Sequence, residues 1–253
     1  MNNNWMTRLA GALLLFPFLS AAADQERDKE GWPSPVHDDI AVGSVLFDRL
    51  EYAWGDDEDA INWDVQGWYG GDYNRLWVKT EGEDVRSGGD GGEAELELLY
   101  SRMISPFWDL QAGLGQQRIY GPGPDHDRTY ATVGLQGLAP YYFEMDPSLR
   151  VSEEGDVSAS LEAEYELLFT QRLILQPRFA TAYAVDEVEE FSVGKGFTFV
   201  QAGLRLRYEF AREFAPYIGV SWRKSLGDTA DFIEAEGEDV EHTSMVAGIR
   251  MWF

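Results

Sequence analysis

From Val157 to Leu167 the chain alternates without a fault. Val157, Ala159, Leu161, Ala163, Tyr165 and Leu167 fall on one side, and Ser158, Ser160, Glu162, Glu164 and Glu166 on the other. An extended strand sends successive side chains to opposite faces, whereas an amphipathic helix repeats its apolar positions with a period near 3.6. The period of two recurs in Ile61, Trp63 and Val65, in Leu76, Val78 and Thr80, in Ala94, Leu96, Leu98 and Tyr100, and in Trp108, Leu110, Ala112 and Leu114. Val200, Ala202, Leu204, Leu206, Tyr208 and Phe210 likewise face away from Gln201, Arg205, Arg207 and Glu209. The pattern predicts twelve strands, near residues 44–54, 60–71, 74–82, 93–101, 107–118, 129–137, 140–152, 157–168, 172–185, 197–210, 214–224 and 242–253.

The connections sort into two kinds. Gly70–Asn74, Arg102–Pro106, Gly137–Pro140, Thr170–Arg172 and Ala211–Ala215 are short. Gly55–Asp59, Glu81–Gly92, Ile119–Arg128, Ser152–Asp156, Asp186–Gly196 and Ser225–Glu241 are longer and acidic, and the two kinds take turns along the chain. A soluble sandwich explains that order poorly. An all-β, transmembrane, antiparallel up-and-down barrel explains it directly, with turns at the periplasmic end and loops outside. The closing stretch Thr243–Phe253 fits this reading. Thr243, Met245, Ala247, Ile249, Met251 and Phe253 form an apolar face, against Ser244, Val246, Gly248, Arg250 and Trp252. Its length matches the roughly 9–11 residues of a tilted membrane strand. Its terminal aromatic resembles the C-terminal signal of bacterial outer-membrane barrels. Tryptophans near strand ends, such as Trp54, Trp68, Trp77 and Trp222, are expected in headgroup-level girdles.

The N-terminus defines the compartment. Arg8 precedes the apolar run Leu9–Leu19 and the small residues Ala21–Ala23, which is the layout of a cleaved secretory signal peptide over residues 1–23. Residues 24–43 read as a polar periplasmic extension broken by Pro33 and Pro35, and residues 44–253 as the barrel. No later run is long and apolar enough for a membrane helix, so the expected site is the outer membrane of a Gram-negative bacterium, with its lipid as one partner. There is no cysteine, so strand pairing and not crosslinking must hold the fold. The net charge of −25 argues against a nucleic-acid partner and favours cations.

The face turned away from lipid is charged. Glu93, Glu95 and Glu97 share one strand and Glu162, Glu164 and Glu166 another, while Arg178, Arg205, Arg207, Arg223 and Arg250 lie on others. Two readings stand open. These rows can pair into a structural network that avoids lone buried charge, or they can line a narrow cation-selective path.

Longer motifs carry a resemblance. WGDDEDAINWDVQGWYGGDYNRLWVKTEGE (54–83), GLAPYYFEMDPSLRVSEEGDVSASLEAEYELLFTQRLILQPR (137–178), LRLRYEFAREFAPYIGVSW (204–222) and GDTADFIEAEGEDVEHTSMVAGIRMWF (227–253) closely resemble the copper-resistance protein B family of outer-membrane proteins. The resemblance implies an outer-membrane β-barrel in copper resistance or homeostasis. Such a barrel would bind, sequester or pass copper ions, Cu(I) or Cu(II), alongside periplasmic copper-resistance proteins. Many members also carry a Met- and His-rich N-terminal segment, whereas Asp24–Ile40 here has no methionine and a single histidine, His37. The alternative function is a narrow cation-selective or structural porin without specific copper affinity.

Candidate ligands are therefore few. His37, Asp38 and Asp39 lie together before the barrel and match a family motif; imidazole with carboxylates suits Cu(II), against a plainly solvated segment. His126 sits in a Gly- and Pro-rich loop between Asp125 and Asp127, where ordinary turn chemistry is the competing account. His242 follows Glu241, and Met103, placed in a turn with Pro106, is the one thioether expected off the lipid face. The acidic runs Asp56–Asp59 and Ser225–Glu241 offer hard oxygen donors that hold divalent cations loosely, or simply face water. The motifs of serine hydrolases, zinc peptidases and P-loop enzymes are absent, and a non-enzymatic role is expected.

Overall fold

The computed structural model describes residues 40–55, 58–87, 91–121 and 124–253. The segment expected as a leader, 1–23, and His37, Asp38 and Asp39 of the expected extension lie outside the described residues.

Residues 41–253 form one closed antiparallel sheet. Its strands are β1 (Val42–Gly55), β2 (Asp59–Gly70), β3 (Asn74–Ser87), β4 (Gly91–Ser105), β5 (Trp108–Tyr120), β6 (His126–Ala139), β7 (Phe143–Ser152), β8 (Val157–Glu164), β9 (Leu167–Leu168), β10 (Leu173–Ala184), β11 (Gly196–Tyr208), β12 (Phe214–Ser225) and β13 (Glu241–Trp252). Each pairs with its neighbour in sequence, β13 returns to pair with β1, and β8 and β9 share β10 as partner. The wall is thus a closed barrel of twelve staves, the eighth interrupted at Tyr165 and Glu166. Closure pairs every described strand but the two-residue β9 on both sides, the condition for carrying strands through lipid.

The alternation read from the sequence now has a direction. Leu76, Leu96, Leu98, Leu114, Leu149, Ile218 and Met245 are all more than half exposed on the outside, while Arg49, Glu51, Gln111, Arg178, Arg205 and Arg207 are buried inside. A water-soluble protein reverses this order; here the polar groups form the core. Phe253 is 71% exposed and meets the Phe47 ring edge-on, and its main chain exchanges two hydrogen bonds with Val45 across the seam.

Four details differ from the sequence expectation. β3 runs to Ser87 and β4 starts at Gly91, so most of the expected loop 81–92 is a tall hairpin. The expected loop 225–241 contains a helix, α1 (Gly227–Glu236), ended by Gly237 in the left-handed region at φ 85°. Met103 lies within β4 and not in a turn, because the pairing of β4 with β5 continues to Ser105. Trp68 and Trp77 leave the girdle and face inward, where with Trp252, Leu46, Gln66 and Arg250 they line a recess of about 280 Å³. Inside, Arg75 sits 4.8 Å from the Trp68 ring and Lys79 5.9 Å from the Trp77 ring. Cation–π attraction of this kind gives the aromatics a partner in the bore that lipid would not supply.

Candidate functional site

The site is the bore itself. A β-bulge between Phe47 and Arg49 inserts one residue into β1 and shifts its parity. Arg49 and Glu51 therefore turn inward although Leu46 and Ser44 also do, and Asp48 is released to accept from Arg250 at 2.6 Å. A bulge leaves its extra residue out of the ladder and re-aims the side chains beyond it.

The charges pair across the bore as well as along the wall. Arg205 of β11 donates to both oxygens of Glu51 on β1, at 2.9 and 2.7 Å, and the Tyr217 hydroxyl donates to the same carboxylate at 3.0 Å. Arg49 meets Asp64 at 2.9 Å and Glu81 at 2.7 Å. Arg178 meets Glu162 at 2.5 Å and Glu164 at 3.3 Å, and lies 3.7 Å from Glu81. Arg150 of β7 reaches Glu95 at 2.9 Å and Glu97 at 3.3 Å on β4, its guanidinium 4.8 Å from the Tyr130 ring. Lys79 of β3 reaches Asp146 of β7 at 2.7 Å. Arg207 pairs with Glu166 and donates to Gln176. Glu93 accepts from Gln117, which itself accepts from Arg128. Carboxylate–guanidinium pairing in this density keeps a buried polar core from holding lone charges, whose desolvation would be costly.

Of the residues singled out in the sequence, the structure joins Arg178 to Glu162 and Glu164, and Arg207 to Glu166. Arg205 and Arg250 instead find Glu51 and Asp48, and the row Glu95–Glu97 finds Arg150. Arg223 stacks 4.1 Å over the Phe199 ring. Arg49, Glu51, Asp64, Lys79, Glu81, Asp146 and Arg150 were not anticipated. Glu81 was passed over because it stood where the expected strand 74–82 overlapped the expected loop 81–92, and Arg49 and Glu51 were hidden by the bulge.

The candidate ligands stay apart. His126 opens β6 with its Nδ1 3.9 Å from Glu190, and its ring 6.0 Å from that of Phe191. His242 stands on β13 opposite Arg223 of β12. Met103 pairs with Asp109 across β4 and β5. Asp125 is taken by Arg118. Among the described residues, no group of three or more His, Asp and Glu side chains is arranged to hold a metal.

A closed, antiparallel, inside-out barrel with a charged bore defines the class of outer-membrane porin-like barrels. The solved NanC porin shares this fold at a TM-score of 0.52 and 12% identity, over 83% of this chain and 99% of that one. The family model for copper resistance protein B precursor (CopB) matches residues 41–253. Copper resistance protein B of Escherichia coli is 43% identical over 86% of this chain and 72% of its own length. The Copper resistance protein B homolog of Pseudomonas syringae pv. tomato is 38% identical over the same shares. The chain belongs to the copper resistance protein B family.

Proposed function

We propose that this barrel acts in copper resistance at the outer membrane of a Gram-negative bacterium, where it admits or holds copper ions at a bore lined by carboxylates. Membership of the family over the whole barrel carries the copper part of this reading. The bore supports the ionic part. Glu81, Glu95 and Glu162 face a space whose other side chains are largely their own counter-ions, and carboxylate rings favour cations over anions. Oxygen donors with a scattered imidazole give weak, exchangeable ligation, which suits transit better than storage. The role is not catalytic.

Deleting the gene and restoring it on a plasmid tests the reading. Copper tolerance and cell-associated copper should change on deletion and return on complementation. Equal values across a copper dose series would overturn it. Metal analysis of the refolded mature protein, wild type against His37→Ala, separates ligation before the barrel from ligation within it.

A second reading is a narrow or structural barrel without copper preference. The cross-bore pairs of Lys79 with Asp146 and Arg150 with Glu95 favour it, since they brace the wall by themselves. Conductance that is indifferent to copper would support it.

A further inference from the structure

The ion pairs of the bore are not equivalent. Many end on carboxylates sealed in the wall: Glu51, Glu97, Glu164 and Asp48 have side chains no more than 12% exposed. Glu81 differs, with a side chain that is 52% exposed. Its Oε1 lies 2.7 Å from Nη2 of Arg49 and 3.7 Å from Nη2 of Arg178. Glu81 stands on β3 and Arg178 on β10, six staves apart in either direction round the twelve-stave wall. The two side chains therefore meet across the full diameter.

Neither arginine depends on Glu81 for its charge balance. Arg49 keeps Asp64 at 2.9 Å, and Arg178 keeps Glu162 at 2.5 Å and Glu164 at 3.3 Å. Neutralising Glu81 strands no buried cation, so the large cost of breaking a buried pair does not arise. What it removes is a half-exposed carboxylate at the level where side chains of opposite walls meet, leaving two guanidinium groups there.

We infer that Glu81 closes the bore and sets its charge preference. This rests on the reading of the barrel as an ion path. A cation entering from solvent meets the Glu81 carboxylate and competes with Arg178 for Oε1. The long contact to Arg178 is the one that yields, and Arg49 retains the side chain on its own side of the wall. Ion-lined constrictions select by the sign and field strength of such groups.

The test uses the full mature protein in planar bilayers under a potassium chloride gradient. Folding is checked by heat-modifiable mobility. Glu81→Gln should raise conductance about threefold or more and move the reversal potential toward anions. Glu153→Gln removes the same charge from an exposed turn outside the strands, and should leave both values close to wild type. An unchanged Glu81→Gln barrel, or an equal change in Glu153→Gln, overturns the inference. If Glu81→Gln does not fold, Glu81→Asp keeps the charge and shortens the reach. It should raise conductance while preserving cation preference, and wild-type conductance in that variant overturns the inference as well. Copper tolerance of the deletion strain is a separate readout. An unchanged tolerance removes the copper reading and leaves the bilayer result standing.

Discussion

Arg205 grips both oxygens of Glu51 from three staves away, and the two side chains are 4% and 1% exposed. The fork geometry of guanidinium matches a carboxylate at two points and fixes the spacing of β11 and β1 across the intervening β12 and β13. Tyr217 closes the cluster from β12. Replacing Arg205 with Ala leaves a sealed carboxylate with one neutral donor. The expected loss is about 3–5 kcal/mol in urea unfolding from lipid vesicles. The double variant Arg205→Met, Glu51→Gln should recover a large part of it. Equal losses in single and double variants would show that packing, and not stranded charge, dominates.

Gly115 is a second pressure point. A Cβ placed there would overlap the Tyr130 ring, which is buried and donates to Glu97 at 3.0 Å. Gly115→Ala should push Tyr130 off Glu97 and cost about 1–3 kcal/mol by overpacking. Tyr130→Ser in the same chain removes the obstacle, so Gly115→Ala on that background should be nearly neutral. Full additivity of the two changes would contradict the contact.

The turn between β6 and β7 holds two consecutive non-glycine residues at positive φ, Tyr141 at 69° and Tyr142 at 66°. Hairpin turns of this kind ordinarily take Asn-Gly, because a Cβ is disfavoured in the left-handed region by about 1–2 kcal/mol per residue. Both rings are largely exposed. Tyr141→Asn with Tyr142→Gly should raise the urea midpoint, by about 1–2 kcal/mol of stability. A lower midpoint would mean that the rings anchor the rim in the headgroup layer by more than the strain they impose.

Over the opposite rim, the segment between β10 and β11 reaches back past β8 and β7 to β6. Phe191 lies 4.4 Å from the Arg128 guanidinium and near the His126 ring, and Gly194 N–H donates to the buried Thr229 hydroxyl of α1 at 2.9 Å. The segment is thus tied at both ends, to β6 and to the helix. Phe191→Ala should free it, so that trypsin cuts folded protein faster after Lys195. Cleavage at the wild-type rate would show that the helix contact alone holds it down.

Much of the architecture was legible in local pattern. The period of two, the short turns and the lipid-facing Met245 and Phe253 all follow from alternation, because lipid on one side and water on the other impose it residue by residue. The pairing inside the bore was not legible in the same way. Arg150 finds Glu95 three staves away, and Arg178 finds Glu81 across the diameter, so their meeting depends on how the whole sheet closes. The bulge at Asp48 breaks the simple parity that would have shown Arg49 and Glu51 as inward residues. The helix α1 was concealed by its acidic content, since Asp228, Asp231 and Glu234 read as loop composition while Thr229 packs inward. Of the three candidate ligands within the barrel, Met103 was expected in a turn and lies in β4, and His126 was expected in a loop and opens β6, while nothing in local spacing could show that the fold keeps these two and His242 apart.

The arginines of the bore also shape the molecule that solvent meets. Arg49, Arg178, Arg205 and Arg207 spend their charge on inward carboxylates. The remaining acids of the rim, among them Asp186, Glu187, Glu189, Asp231 and Glu238, keep theirs. Seen from outside, the barrel is a fixed polyanion mounted over an interior of paired charges. Such a rim behaves as a miniature ion exchanger: it enriches counter-ions steeply with their valence, and gives them up as ionic strength rises.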